Sequence, residues 1–128
     1  MSFELERLDH VALTVADVDR SIEWYREVLG LEHVHEDEWG RNPAFLTSGS
    51  TGLALFPARG SGAPPAGHPD GLAMWHLAFR ADRRNFDRAR EQLGSRDIDF
   101  SFSDHGLAHS IYFHDPDGHL IEITTYEV

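Results

Sequence analysis

Two stretches of the chain read alike, and that repeat constrains the fold more than any other feature. LDHVALTVADVDRSIEWYREVLG, near the N-terminus, matches AMWHLAFRADRRNFDRAREQLG in the second half. Each begins with a strand-like pattern carrying one histidine, His10 or His76, and in each the residue two places on is Ala, Ala12 or Ala78. A polar junction follows, then a helical pattern, then Leu29-Gly30 or Leu93-Gly94. Ile22, Tyr25, Val28 and Leu29 recur at helical spacing in the first copy. Asp17 or Asp19 can cap that helix, and Gly30 supplies its stop. Phe86, Ala89 and Leu93 form the stripe of the second, with Gly94 as its stop.

Three strand-like runs follow each helix. In the first half they are Leu31–Glu38, Ala44–Ser48 and Gly52–Phe56; in the second, Ile98–Ser103, His109–His114 and His119–Tyr126. Asp115-Pro116-Asp117-Gly118 has the composition of a type I turn. Residues 58–71, rich in Gly and Pro, read as a linker loop. The expected fold class is therefore α+β: residues 1–128 form a single domain of two paired βαβββ modules, 5–57 and 72–128. Their curled mixed sheets would form a metal-containing cleft.

Side chains alternate across a strand. His10, Ala12 and Thr14 share one face, with Val11, Leu13 and Val15 behind them. His76, Ala78 and Arg80 oppose Trp75, Leu77 and Phe79, and Glu122 and Thr124 oppose Ile121 and Ile123. The apolar faces are expected to pack beneath the helices, and the alanines leave room beside the histidines. Two imidazoles and a carboxylate at His10, His76 and Glu122 make a donor set favoured by Fe(II) and suited to Mn(II), with Zn(II) or Ni(II) also accepted. Open coordination positions would let one divalent ion per chain polarise a substrate.

Composition narrows the chemistry further. All 11 Lys+Arg residues are Arg, so Schiff-base chemistry is excluded, and with no Cys any metal must take His, Asp or Glu. A formal charge of −11 over 128 residues argues against nucleic acid and anionic membrane surfaces as partners. The acidic N-terminus resembles no signal peptide, which makes the cytoplasm the expected location. Solvent exposure is expected for His33, His35, His114 and His119.

LDHVALTV, SIEWYREVLGLE, WHLAF and YFHDPDGHLIEI together resemble the vicinal oxygen chelate superfamily of glyoxalases, bleomycin and fosfomycin resistance proteins and extradiol dioxygenases. The resemblance implies the paired βαβββ fold, a metal held by His10, His76 and Glu122, a small-molecule substrate with vicinal oxygens and a homodimer. Glyoxalase-like lyases usually add a Glu ligand on the strand that here reads GLALF (Gly52–Phe56). The extradiol fingerprint is the better match, through His105, Ile111-Tyr112, Asp115-Pro116, Gly118 and Glu122. It implies a ring-cleaving dioxygenase acting on a catechol-like substrate. Tyr112 would hold a substrate oxygen or pass a proton, and His105 would hydrogen-bond the same oxygen. His68 or His109 would take the acid–base role that such enzymes give to a histidine on the GLALF strand. A glyoxalase-like lyase or isomerase is the runner-up. The third reading is a metal-free binder of the bleomycin-resistance type, with Trp24, Trp39, Trp75, Phe45, Phe56 and Phe102 lining a stacking pocket. A fosfomycin-type transferase fits less well, because Ala12 replaces the Thr which that family tends to place two residues after its first His.

Overall fold

Asp17 accepts a hydrogen bond from the Arg20 N–H at 3.1 Å and so starts the first helix, while Gly30, left-handed at φ 69°, ends it. The computed structural model containing this helix describes residues 2–60 and 73–128. The chain divides into two units, Met1–Pro64 and Pro65–Val128. Most of the expected 58–71 linker, His68 included, lies outside the described residues.

The first unit runs β1 (His10–Val15), α1 (Val18–Leu29), β2 (Glu32–Val34), α2 (Glu36–Trp39), β3 (Ala44–Ser48) and β4 (Thr51–Pro57). Its sheet order is β1-β4-β3-β2, with β1 parallel to β4 and the remaining pairs antiparallel. The second unit runs β5 (Leu77–Arg80), α3 (Arg83–Ser95), β6 (Ser101–Asp104), β7 (His109–His114) and β8 (Leu120–Thr125). Its order, β5-β8-β7-β6, repeats the first, again with one parallel pair. The fold is α+β, with two four-stranded mixed sheets each backed by a helix.

One face of each sheet makes a core. In the first unit Val15, Leu46, Leu53 and Leu55 are buried with Ile22 and Tyr25 of α1. In the second, Ile111, Phe113, Ile121 and Ile123 are buried with Phe86 and Leu93 of α3. Each such aliphatic or aromatic side chain contributes about 1.5–3 kcal/mol relative to exposure. No described helix is long and apolar enough to cross a membrane.

Several expectations need correction. Leu31–Glu38 is not one strand: β2 stops at Val34, His35 turns left-handed at φ 58°, and Glu36–Trp39 forms a helical turn. The second helix passes through Gly94 to Ser95, and the left-handed residue is Asp97, at φ 56°. The Ile98 N–H is spent on the Leu93 carbonyl at 2.9 Å, closing the helix, so the following strand starts only at Ser101. Trp75 lies outside β5, which begins at Leu77, and is 81% exposed instead of packing under α3. His33 was expected in solvent, but its side chain is only 10% exposed. It pairs with Leu46 in the sheet register and turns to the same buried face. His119 is partly covered too, whereas His35 and His114 are exposed.

Candidate functional site

In the second unit the sheet face away from α3 carries a polar group of side chains. The register pairs Tyr112 with Glu122 and Ala78 with Glu122, so these three residues stand side by side across β7, β8 and β5. Glu122 is 8% exposed. A buried carboxylate is costly unless it is hydrogen-bonded and paired. Here it is both: Ser110 Oγ donates to Glu122 Oε2 at 2.6 Å, and His76 Nε2 lies 2.9 Å from Glu122 Oε1. Ser110 is also 3.0 Å from Thr124 Oγ1, which fixes its hydroxyl on this face. The sequence reading missed Ser110. Its signal was there, a small hydroxyl residue two positions before Tyr112 and hence on the same side of β7.

His76 Nδ1 is buried and has no hydrogen-bond partner among the described residues. The other ring nitrogen, Nε2, is the one set against Glu122, and an imidazole nitrogen beside a buried carboxylate oxygen is a donor pair that suits a divalent cation. Within either unit, the described residues bring no three His, Asp or Glu side chains close enough to hold a metal. His76 and Glu122 are the pair that the second unit supplies.

Tyr112 and His105 come together beside that pair. His105 Nε2 and Tyr112 Oη share a hydrogen bond of 3.0 Å, and the Tyr112 ring stands edge-on to His76 at 5.7 Å. Burial raises the Tyr112 phenol above its ordinary value, and the charge and hydrogen bond of Glu122 push it the same way. The phenol is thereby kept as a donor. His105 is exposed on the β6–β7 turn, where its N–H donates to the Ala108 carbonyl at 2.8 Å. His109 cannot take the acid–base role on this face. It alternates with Ile111 and Phe113 on the opposite side of β7, where Arg83 Nη1 holds its Nδ1 at 2.9 Å.

His10 lies in the first unit, exposed at the start of β1. Its Nδ1 is 2.9 Å from Asp9 Oδ2, and its ring meets Phe45 edge-on at 5.5 Å. Within the first unit Ala12 pairs with Ala54, and Ala54 with Phe45. Ala54 therefore stands where the second unit has Glu122, and Phe45 where it has Tyr112. Of the six side chains expected to line an aromatic pocket, two are in ring contact with each other. Trp39 and Phe45 touch at 5.5 Å, while Trp75 and Phe102 are surface residues.

Residues 7–123 match the Glyoxalase/Bleomycin resistance protein/Dioxygenase superfamily. Metallothiol transferase FosB of Staphylococcus epidermidis is 31% identical over 127 residues, covering 95% of this chain and 83% of its own. Biphenyl-2,3-diol 1,2-dioxygenase 3 of Rhodococcus globerulus is 32% identical, covering 91% of this chain but only 62% of its own. A crystal structure of a glyoxalase/dioxygenase from Nostoc punctiforme superposes with a TM-score of 0.75 at 30% identity, covering 94% of this chain and 90% of that one. Members of the superfamily bind a divalent metal and act on small molecules. With the match spanning both units, the chain belongs to the Glyoxalase/Bleomycin resistance protein/Dioxygenase superfamily.

Proposed function

We propose that the protein is a divalent-metal enzyme in which His10, His76 and Glu122 hold the ion and a substrate chelates it through neighbouring oxygens. Within that reading we favour an extradiol-type dioxygenase using Fe(II) or Mn(II) on a catechol-like substrate, working as a cytoplasmic homodimer. The observation that carries the metal site is the buried Glu122 carboxylate, backed by Ser110 and met by His76 Nε2 at 2.9 Å. The observation that favours ring cleavage is the His105–Tyr112 hydrogen bond beside that pair, at the two positions of the extradiol fingerprint.

A bound divalent metal supplies Lewis acidity toward the two substrate oxygens and, if it is iron, a path for electrons to dioxygen. The chain's own side chains handle hydrogen bonds and protons. Ser110 holds Glu122 in one orientation, so the carboxylate need not reorganise when a cation is bound. Tyr112, kept protonated by burial and by Glu122, donates its O–H to a substrate oxygen. His105, bonded to the same phenol and open to solvent, restores that proton from water. In the overall reaction a ring C–C bond next to the diol breaks, and both atoms of one dioxygen enter the product.

A second reading, a thiol transferase, is favoured by the 31% identity to metallothiol transferase FosB. A glyoxalase-like lyase is less well served, since Ala54, at the register position equivalent to Glu122, offers no fourth ligand or base. The deciding experiment measures two reactions on protein reconstituted with Fe(II) or with Mn(II). One is oxygen uptake with catechols; the other is thiol consumption with fosfomycin. The dioxygenase reading expects one oxygen per ring opened, no thiol loss, and a drop of ~10²-fold in kcat for Tyr112→Phe. Thiol consumption without oxygen uptake would replace it with the transferase.

A further inference from the structure

The first unit carries an aromatic cluster on the sheet face opposite Leu46 and Leu53. Phe45, 8% exposed, is enclosed by three rings: His10 at 5.5 Å, Trp39 at 5.5 Å and His35 at 5.8 Å. His35 and Trp39 also meet each other, at 5.0 Å. Trp39 remains 49% exposed, so one side of this cluster presents indole to whatever lies on the face.

The chain accepts structural costs to build it. His35 sits in the left-handed region at φ 58° and ψ 26°, which is unfavourable for a residue with a Cβ. Its side chain does not cap α2 in return. The four residues of α2 are instead tied down by charge. Arg41 bonds Glu36 Oε1 at 2.9 Å and also bonds Asp19 of α1, and His33 Nδ1 lies 3.8 Å from Glu36 Oε2. On the floor beside His10, Gly52 can carry no Cβ. An added Cβ would meet the Asp9 carbonyl oxygen at 2.6 Å, Phe45 Cζ at 2.7 Å and His10 Cβ at 3.0 Å. Ala12 and Ala54 keep the rest of that face shallow.

The charge of the surroundings selects among occupants. Asp9 lies against His10, Arg7 is paired with Glu6 and Asp9, and Arg41 is engaged by Asp19 and Glu36. An anionic group would meet Asp9 with neither of these cations free to offset it. A neutral flat ring meets edge and face contacts from Trp39, His35 and Phe45, the arrangement that aromatic pairs favour.

We propose that Trp39 and His35, packed on Phe45, form a subsite for an uncharged aromatic group carried by the substrate next to its chelating oxygens. This rests on the reading that His10 is a metal ligand. Phe45 touches both His10 and Trp39, so a second ring ~5 Å beyond the chelating one reaches the indole. The subsite thus makes Trp39 and His35 specificity-determining residues.

Calorimetric titration of the full-length, metal-loaded protein with catechol and with 3- and 4-phenylcatechol tests it. The expected result is that at least one phenylcatechol binds ten-fold or more tightly than catechol. Trp39→Ala should erase most of that advantage while catechol affinity moves less than two-fold. His35→Gly, which relieves the left-handed backbone and keeps the fold, should lose the same preference. Equal affinities in the wild type, or an advantage that survives both substitutions, would overturn the subsite. A parallel titration of metal-free protein with 4-hydroxybiphenyl, which cannot chelate, separates the two ideas. Binding there that Trp39→Ala abolishes supports the subsite even if no metal is retained; absence of binding there, with metal also absent, sinks both.

Discussion

His10, the first residue of β1, and His76, just before β5, hold equivalent places in the repeat, yet the surfaces around them differ in kind. In the second unit Tyr112 pairs with Glu122 in the register and His76 reaches that carboxylate at 2.9 Å; in the first, Phe45 pairs with Ala54 beside His10. Even the ring contacts repeat, His10 with Phe45 at 5.5 Å and His76 with Tyr112 at 5.7 Å, both edge-on. A hydroxyl and a carboxylate are what separate the two faces. One copy of the framework carries a phenol and a carboxylate on this face, and the other carries a phenyl ring and a methyl group in their places. The two units share one scaffold, and the contrast between these faces lies in two positions upon it.

The sharpest way to break this comparison is to give the first unit the second unit's acid. Ala54 is 1% exposed, with no counterpart of Ser110 described beside it. Ala54→Glu should therefore cost about 1–3 kcal/mol in chemical denaturation, since His10 stands where His76 does but no hydroxyl replaces Ser110 to bond the second carboxylate oxygen. A loss below about 1 kcal/mol would mean that the two faces are interchangeable and that the absence of an acid in the first is incidental.

A smaller effect is expected within the polar face. Ser110→Ala removes the 2.6 Å hydrogen bond that orients Glu122. Chelator competition should show metal affinity falling by about tenfold, the usual result of losing a partner behind a ligand. Unchanged affinity would reduce Ser110 to a packing residue.

The smallest effect is read by pH. In metal-free protein, the difference in tyrosinate absorbance between wild type and Tyr112→Phe should titrate above the ordinary tyrosine value of about 10. The unfolded chain then releases this proton before the folded one does, so stability should fall as pH rises past that value. Because burial is the larger cause, Glu122→Gln should bring the titration down only part of the way. A midpoint at or below 10 would mean that neither burial nor Glu122 raises this phenol.

Much of this was legible in the residues. Asp17, Gly30 and the Asp115–Gly118 turn announce their own backbone geometry, and an acid inside HLIEI marks itself as something other than core. The repeat implied one topology for both units, and the strand order itself came with the structure. What the chain concealed was settled by packing. EDEW looks like the continuation of an alternating strand until His35 leaves the β region. His33 looks like one more surface histidine until pairing with Leu46 turns it inward. Ser110 carries no motif, and its importance appears only when the register sets it behind Glu122. The equivalence of Ala54 with Glu122 is likewise a matter of register, invisible when GLALF is read as a string.

The central claim is that Glu122, with His76 and His10, holds a divalent metal. Its most direct test is the metal content of protein purified without a metal-affinity column, wild type beside Glu122→Ala, with circular dichroism to establish that both are folded. Our account predicts close to one Fe or Mn per chain in the wild type, and a folded variant that retains none. A wild type that stays metal-free after anaerobic reconstitution, or a Glu122→Ala protein that keeps its metal, would contradict it.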